Sequence, residues 1–538
     1  MKSAEGKIPL SDSAPKTAPA DYGSRRRAVE LLTAAFLLAV LIRLVFILLP
    51  QVPLETKAVA AIGDSREYIA LARNLASTHT FTRDTTPPFR PELFRTPIYP
   101  LFLTLPLFLT PHSSPGASFL ALALALQLLL SLLTVWLAWK LGLELGLPPT
   151  TAAFAALLVG LSPNLAFLSS KLISEALFTP LLLICILLLN RHRLSGRVVD
   201  IVGAGICSGL LILTRPIATF FPLLMAAYVV WHELRKTGEA GKTGTVPRAE
   251  RSGGLSPVFQ GIRSSLLLLA SASVVVAPWV IRNGQKTGRY IISTAFEHNI
   301  YLYDAATVLA SERGISIPQA RDVMKAEAEM EFGPIDTTDE GTMWQKLSTV
   351  ARRHFFRNPA RAAPVWLFGV FADFLNPISV GPLLIHSGAS PAPGSANLLQ
   401  SSLALLVRGQ VKEAFTTAWR VRVGGAPTFI LVVLACAALF NLILIWFGLT
   451  SLFLRRTRGL FWLLLPILYF TFVTGTVGDA RFRAPIEPIL CLFAAAVLIR
   501  PARPVPVRAP ELSSDVVSEL AAGSCSVGTA APGTNHQA

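Results

Sequence analysis

Charged residues are scarce in this sequence. Of its 538 residues only 15% are Asp, Glu, Lys or Arg, and 52% are hydrophobic, whereas a soluble globular chain carries about 25% charged residues. Apolar runs take their place, many of them close to the roughly 20 residues that cross a bilayer. Because backbone amides in lipid must be hydrogen-bonded internally, such runs must be helices. The sequence therefore predicts an all-α polytopic membrane protein and excludes a soluble fold.

A disulfide framework and a metal site are also missing. His298 and His354 have no partners at the spacing of metal ligands. Four of the five cysteines lie within apolar runs, where a free cysteine behaves as a small hydrophobic residue: Cys185, Cys207, Cys436 and Cys491. We therefore predict no certain cofactor; a divalent metal is compatible with the sequence but not indicated by it.

Two glycine-rich stretches carry no nucleotide chemistry. The stretch GEAGKTGT near residue 241 resembles a phosphate loop, but Lys236 stands where the first glycine of that motif belongs, and no strand precedes it. The stretch GICSG, from Gly205 to Gly209, lies inside an apolar run and predicts close packing between two helices.

The basic residues follow the edges of the apolar runs. The formal net charge is +16, which is typical of nucleic-acid-binding proteins when it forms one patch. Here Lys and Arg cluster in short loops, as the positive-inside rule expects of cytoplasmic segments. We therefore predict no nucleic-acid partner and place both termini in the cytoplasm. The clusters are Arg25–Arg27, Arg191–Arg197, Arg235–Arg263, Arg455–Arg458 and Arg500–Arg508.

About ten runs are clear membrane spans, and two ambiguous runs at 363–380 and 398–408 raise the number to twelve. Between them we predict a first external loop at 51–96, which contains an amphipathic helix, and an external helical segment at 283–361. The proline-broken segment RTPIYPLFL predicts an interfacial or re-entrant piece. The predicted domains are a disordered cytoplasmic tail at 1–24, a transmembrane domain at 25–500 and a second disordered tail at 501–538.

Ionisable residues gather at the predicted outer boundary of the membrane. A charge at such depth costs a few kcal/mol, so each residue is a functional candidate. Carboxylates and guanidinium groups together suit a reaction that deprotonates a hydroxyl and holds an anionic phosphate. Arg43 lies about two turns inside the first span, and the others share one side: Asp64, Glu67, Arg95, Lys171, Glu175, Arg215, Arg282, Asp479, Arg481 and Arg483.

Asp64 is the leading candidate for a general base. It lies in a Gly-Asp-Ser turn after the first span, at the depth where a polyprenyl phosphate presents its sugar. The alternative is that Asp64 only caps the helix that begins near Ser65. The sequence leaves both interpretations open.

The basic candidates also have structural alternatives. Arg481 and Arg483 alternate around a phenylalanine at the mouth of a span, where they either neutralise a lipid phosphate or anchor the span to headgroups. Arg282 presents the same choice. Lys171 and Glu175 are spaced i and i+4, which indicates either site residues or a simple ion pair on one helix.

The order of six motifs resembles the bacterial GT-C-type membrane glycosyltransferases. The resemblance runs from Ala28 to Arg500, and it is closest to the branch related to protein O-mannosyltransferases and the lipid A aminoarabinose transferase. The motifs are GDSREYIALARNL, RTPIYPLFL, LSPNLAFLSSKLISEALF, GLLILTRP, APWVIRNGQ and GDARFRAPIEP.

This resemblance implies an enzyme that transfers a sugar, with inversion, from a polyprenyl-phosphate donor to a hydroxyl acceptor outside the bacterial plasma membrane. It implies a catalytic role for Asp64. Its partners would be the bilayer, the lipid-linked sugar and a glycan, lipid or protein acceptor. The predicted substrate-binding residues are Glu67, Tyr68, Arg95, Tyr99, Lys171, Glu175, Arg215, Arg282, Arg481 and Arg483.

Two other functions remain open. A lipid or small-molecule transporter or flippase also places polar groups in a helical bundle, although its charges are expected near mid-span. A polymerase or ligase of surface polysaccharide uses the same donor class on another fold. The first loop departs from the family, because Asp64 is followed by Ser-Arg-Glu and not by a second adjacent acid.

Overall fold

The computed structural model describes residues 19–49, 52–60, 63–110, 116–243, 256–387, 427–475 and 478–499, with five isolated positions between 410 and 417. Every regular element in these ranges is helical, which confirms the predicted all-α class. The first helix begins at Pro19, inside the segment predicted as a tail. The predicted tail at 501–538 and the ambiguous run at 398–408 lie outside the described residues.

Twenty helices, numbered here in chain order, make up the described part. The first ten are α1 Pro19–Leu48, α2 Asp64–Thr78, α3 Ile98–Leu109, α4 Ala117–Glu144, α5 Pro149–Leu161, α6 Pro163–Ser169, α7 Glu175–Ser195, α8 Val198–Thr214, α9 Phe221–Thr243 and α10 Pro257–Thr287. The second ten are α11 Ala295–Asn299, α12 Ala305–Arg313, α13 Ile317–Phe332, α14 Glu340–Arg357, α15 Pro359–Leu375, α16 Val380–His386, α17 Thr428–Ser451, α18 Leu464–Thr474, α19 Ala480–Arg483 and α20 Glu487–Leu498. Short π or 3₁₀ turns lie at Thr56–Ala60, Pro216–Ala218, Ile300–Asp304 and Arg455–Leu463.

Among the described residues, seven helices are long and apolar enough to cross a membrane. Two bent helix pairs are each either a broken span or a re-entrant loop: α5 with α6 turns by 55°, and α15 with α16 turns by 45°. The second bend falls at Asn376–Pro377, because proline restricts the preceding residue and cannot donate an amide to a helix. By length and composition the described residues therefore contain seven to nine candidate spans, and the shorter apolar helices α3, α8 and α20 are not among them.

Arg43 lies inside the bundle and ties three helices together. Its guanidinium donates to Ser131 Oγ on α4 at 2.6 Å and to the carbonyl oxygens of Gly160 on α5 at 2.8 Å and Ala39 on α1 at 3.2 Å. Its side chain is fully buried. These neutral oxygens replace the water that a buried guanidinium loses, so Arg43 is a packing residue and not part of the outer charge cluster.

The glycines of GICSG lie where α8 crosses α10, as predicted. A Cβ built on Gly205 would fall 1.9 Å from Ser271 Oγ and 2.4 Å from the Leu268 carbonyl oxygen. A Cβ on Gly209 would fall 2.6 Å from the Val275 Cβ. Absence of a side chain therefore allows the two backbones to approach closely, as small residues do in membrane helix pairs.

We expect Gly205→Val to lower the stability of the folded bundle by about 1–3 kcal/mol, because overpacking forces the two helices apart. The measurement is the thermal midpoint of the purified protein in detergent. Gly448→Val is the matched control, since a Cβ at Gly448 meets no atom within 4 Å. Equal midpoints for the two variants would contradict the close contact of α8 and α10.

The loop predicted as the first external one contains the predicted amphipathic helix, α2. Its apolar face, which includes Tyr68, Ile69 and Leu71, is buried. Tyr68 and Ile69 belong to a cluster with Tyr99 and Leu103 of α3. The structure thus packs α2 on the protein. At 12 residues, α3 is about 18 Å long, too short for a full span, as the proline-broken motif predicted.

A separate small core lies in the predicted external helical segment. Helices α11 to α14 pack around buried residues that include Tyr301, Leu309, Met324, Leu347 and Val350. Helix α13 begins with a capping box in which Ser316 and Gln319 satisfy each other's backbone amides. This group touches the first loop, where Glu340 at the start of α14 pairs with Arg83.

Candidate active site

Five distant parts of the chain converge at one end of the bundle. Asp64 is the first residue of α2, and Glu175 is the first residue of α7. Arg215 follows the last residue of α8, and Arg481 lies on the short helix α19. Arg95 lies in the irregular segment before α3. All five positions lie at helix ends or in loops, and their side chains meet at one boundary of the bundle.

The carboxylate of Asp64 lies between two guanidinium groups. Arg95 Nη2 contacts Asp64 Oδ1 at 2.7 Å, and Arg481 Nη2 contacts Asp64 Oδ2 at 2.5 Å. No side-chain hydrogen bond caps α2. The helix-cap interpretation of Asp64 is therefore wrong, because its oxygens are directed at the arginines. The side chain keeps 23% of its surface exposed.

Glu175 forms the buried end of this group. Its Oε1 atom contacts Arg481 Nε and also lies 2.6 Å from Arg215 Nη1. The Glu175 side chain is only 1% exposed, so water has little access to its contacts with the two arginines. A buried carboxylate needs such cations, and Glu175 in turn fixes the position of Arg481.

Glu67 forms the outer end. Arg95 Nε contacts Glu67 Oε2 at 2.6 Å, and Arg83 Nη1 contacts Glu67 Oε1 at 3.3 Å. Arg83 also pairs with Glu92 and, at 2.8 Å, with Glu340. Arg83 and Glu92 were not among the predicted site residues. The signal was available, since both are charged residues of the same loop as Asp64.

The six-residue network therefore alternates in charge: Glu67, Arg95, Asp64, Arg481, Glu175 and Arg215. Its three carboxylates and three guanidinium groups cancel formally. An incoming phosphate would add negative charge and would compete with these carboxylates for the arginines. We name these six residues the charge network.

The two predicted tyrosines lie beneath the network. The Arg95 guanidinium stacks over the Tyr68 ring at 5.1 Å from its centroid, and Tyr68 and Tyr99 make an edge-to-face pair at 4.8 Å. The Tyr68 hydroxyl and Ser174 Oγ lie 3.1 Å apart, and the Tyr99 hydroxyl donates to Gln127 Oε1 at 3.3 Å. The pair supports Arg95 from below, and Tyr99 is fully buried.

The predicted ion pair between Lys171 and Glu175 is wrong. The Lys171 ammonium group contacts His386 Nδ1 and the Lys57 carbonyl oxygen. The physical reason is that α6 ends at Ser169 and α7 begins at Glu175. The i, i+4 spacing therefore crosses a break between helices, and the two side chains diverge. Lys171 is fully buried and makes no contact with the charge network.

Two other predicted phosphate ligands bind backbone instead. Arg483 is buried, and its guanidinium donates to carbonyl oxygens at the end of α15, those of Asp373 at 2.8 Å and Phe374 at 2.9 Å, and to Asn376 at 3.0 Å. Arg282 donates to the Glu92 and Phe81 carbonyl oxygens at 2.9 and 3.1 Å. These contacts favour structural roles for both arginines.

The arginines control the protonation of Asp64. Burial raises the pKa of this carboxyl group, but the charges and hydrogen bonds of Arg481 and Arg95 outweigh burial and hold the pKa well below its usual value. Asp64 is therefore ionised at neutral pH and a weak base while both arginines hold it. Among the described residues, no group of three or more His, Cys, Asp or Glu side chains is placed to hold a metal ion.

Residues 95–242 match the sequence model of the dolichyl-phosphate-mannose-protein mannosyltransferase family. Over this stretch the chain is similar to the mannosyltransferases of that family. The match includes Arg95, Glu175 and Arg215 of the charge network, whereas Asp64 and Arg481 lie outside the matched stretch. The predicted family resemblance is confirmed at this level. No curated protein sequence matches the chain.

Solved structures similar to the chain include the oligosaccharyltransferase of Archaeoglobus fulgidus. Its apo form is 16% identical with a TM-score of 0.31, and the alignment covers 88% of this chain and 57% of that one. Its complex with an inhibitory peptide and a dolichol-phosphate is 15% identical with a TM-score of 0.31, covering 88% and 56%. This chain thus spans less than two thirds of their length.

Proposed function

We propose that this protein transfers a sugar from a polyprenyl-phosphate-linked donor to a hydroxyl acceptor at the external face of the membrane, with inversion at the sugar. One observation carries the proposal: the partly exposed Asp64 carboxylate lies between Arg95 and Arg481. A base beside two cations is what the reaction needs, because the hydroxyl must lose a proton while a phosphate leaves.

Donor binding would release Asp64 for this role. The charge network is neutral, so a sugar phosphodiester that contacts Arg95 and Arg481 would compete with the Asp64 oxygens for the same guanidinium groups. Loss of those contacts removes the main influence that lowers the pKa of Asp64. The carboxylate would thereby become a stronger base only when the donor is in place.

The reaction then balances as follows. Asp64 accepts the proton of the acceptor hydroxyl, and the hydroxyl oxygen attacks the anomeric carbon from the face opposite the phosphate. The bond between that carbon and the phosphate oxygen breaks, and its electron pair leaves with the polyprenyl phosphate. Arg95 and Arg481 stabilise the negative charge that builds on the leaving phosphate. Glu175 and Arg215 act as positioning residues, since Glu175 contacts Arg481 from the buried side and Arg215 pairs with Glu175.

A polar cavity beside the network is the candidate acceptor site. Its volume is about 530 Å³, and Arg83, which touches Glu67, forms part of its wall. Charged groups on this wall offer both donors and acceptors to a hydroxyl-rich molecule. They include Arg83, Asp84, Arg90, Glu92, Lys286, Asp339 and Glu340.

Family membership of the matched stretch favours the donor class, because the family's name specifies dolichyl-phosphate-mannose. We propose a polyprenyl-phosphate sugar for this chain, with a glycan, lipid or protein as acceptor. We also propose the bacterial plasma membrane as its location, with both termini in the cytoplasm, from the placement of the basic loops. The steps proposed above use only side chains of this chain.

The test is release of free polyprenyl phosphate in native membranes, which contain the natural donor and acceptor. Membranes labelled with ³²P are prepared from cells with and without the expressed chain, and polyprenyl phosphate is separated from its glycosylated form by chromatography. We expect the expressed chain to accelerate release several-fold. Unchanged release, together with faster movement of the labelled lipid between leaflets, would instead support the transporter.

A further inference from the structure

A second charged site lies at the opposite end of the bundle. Helix α7 begins at Glu175 of the charge network and reaches Arg193 eighteen residues later, a distance of about 27 Å along a helix. The span after Arg215 likewise ends near Arg235 and Lys236. Two independent helices thus separate this site from the charge network by nearly the thickness of the hydrocarbon core.

The site is a cavity of about 610 Å³ between α7, α9 and the 3₁₀ turn before α18. Its charged wall residues are all basic, and the rest of the wall is mainly aromatic and aliphatic. The basic residues are Arg193, Arg235, Lys236 and Arg458; the others include Tyr228, Trp231, His232, Trp462 and Leu465. No acidic residue is part of this wall among the described residues, and the wall residue Lys236 pairs with Glu233 at 2.7 Å.

The aromatic rings hold the cations in place. Tyr228 stacks on Trp462 at 5.7 Å between ring centroids, and the Arg193 guanidinium lies 5.3 Å from the Trp462 ring. The Arg235 guanidinium lies 5.4 Å from the Trp231 ring. The buried Nε of Arg193 has no acceptor among the described residues. This wall is therefore preorganised for a ligand that brings negative charge and an apolar body.

The position indicates what that ligand is. The basic loops predict this end as cytoplasmic, and tyrosine and tryptophan are enriched at the membrane interface. The inner leaflet supplies anionic phospholipids, whose phosphates bind basic pockets between membrane helices. The apolar wall residues Leu224, Trp231 and Leu465 provide contact for acyl chains.

We propose that this cavity binds the phosphate headgroup of an anionic phospholipid of the inner leaflet. The guanidinium groups of Arg193, Arg235 and Arg458 contact the phosphate, and the aromatic wall packs against the glycerol and the first carbons of the chains. This inference does not rest on the proposed transferase activity, because it concerns the other end of the bundle.

The test uses the full chain in nanodiscs of phosphatidylcholine that contain increasing phosphatidylglycerol, with retained lipid counted by native mass spectrometry. We expect Arg235→Gln/Arg458→Gln to weaken phosphatidylglycerol retention by about five-fold for each cation removed. The matched control is Arg197→Gln/Arg263→Gln. It removes the same charge from exposed residues of the same end that lie outside the cavity wall.

Three outcomes would overturn the proposal. Equal retention by the two double variants would show a general surface effect. Equal retention of phosphatidylcholine and phosphatidylglycerol would show that the basic residues do not select an anionic headgroup. Displacement of the lipid by 10 mM inorganic phosphate, used as the soluble probe, would assign the site to a free phosphate. Trp231→Ala, which keeps all four cations, provides a second arm: it must also weaken retention if acyl chains contact the wall.

Discussion

Asp64→Asn is expected to reduce sugar transfer by between about a hundred-fold and ten-thousand-fold, the range for loss of a positioned general base. The same change is expected to strengthen donor binding. Asp64 competes with the donor phosphate for Arg95 and Arg481, so its neutralisation leaves both guanidinium groups available. The gain should be about two-fold to five-fold, because the Asp64 ion pairs are partly exposed.

Opposite changes in turnover and binding are the diagnostic result. Turnover is measured by release of polyprenyl phosphate, and binding by equilibrium retention of a polyprenyl phosphate probe on the purified protein. Asp322→Asn, which makes the same chemical change on an exposed face of α13, should alter neither. If Asp64→Asn weakened binding and turnover together, Asp64 would be a donor-binding residue. The proposal that the donor phosphate replaces Asp64 at Arg95 and Arg481 would then be wrong.

The pH dependence of the wild type checks the same exchange. In the free enzyme Arg481 and Arg95 hold the pKa of Asp64 well below its usual value, so the acid limb of kcat/KM should lie far below neutral pH. The bound donor takes over those arginines, so the acid limb of kcat should appear at higher pH. Coincident limbs would contradict the release of Asp64 by the donor.

Arg481→Gln is expected to lower kcat/KM by at least about a hundred-fold and to destabilise the protein by up to about 3–5 kcal/mol. Arg481 joins the exposed and buried halves of the charge network, since it contacts both Asp64 and Glu175. Its loss removes one cation from the phosphate site and leaves Glu175 with Arg215 alone. Arg481→Lys should restore little, because an ammonium group does not bridge two carboxylates as a planar guanidinium does.

Arg483→Gln separates catalysis from stability. Arg483 lies two residues further along the chain, but its guanidinium caps the carbonyl oxygens at the end of α15. We expect this variant to lower the thermal midpoint while the folded protein keeps the donor KM of the wild type. Thermal midpoints and donor KM values for both variants decide the matter. If Arg483→Gln raised the donor KM as much as Arg481→Gln does, Arg483 would be a phosphate-binding residue after all.

The sequence predicted the architecture well for a physical reason. Apolar runs of bilayer length have one stable conformation in lipid, so α4, α7, α10 and α17 follow directly from composition. Prolines predicted the short helix α3, and glycines predicted the close helix contact at Gly205. Cytoplasmic and external sides remain predictions, because hydropathy in the structure identifies spans and not their direction.

The site was predicted less completely, because contacts between distant residues are not encoded in local spacing. Charge at the membrane boundary selected six residues that the structure brings into one network, yet nothing in the sequence paired Asp64 with Arg481. The Lys171 prediction failed at a helix break that the i, i+4 rule does not detect. Arg483 was predicted as a phosphate ligand because it lies next to Arg481 in the sequence motif. Only the structure shows that it binds carbonyl groups at the end of α15.

The neutrality of the charge network has a consequence for selectivity among anions. Cells contain abundant soluble phosphates and carboxylates, any of which would occupy two uncovered arginines. Here such an ion must displace Asp64 with only its own charge to drive the exchange. A lipid-linked donor is confined to the same membrane as the site, so its effective concentration there is far higher than that of a soluble anion. Under the proposed function, the carboxylate of Asp64 would therefore act as an internal competitor that dilute soluble anions displace less readily than a membrane-anchored donor does.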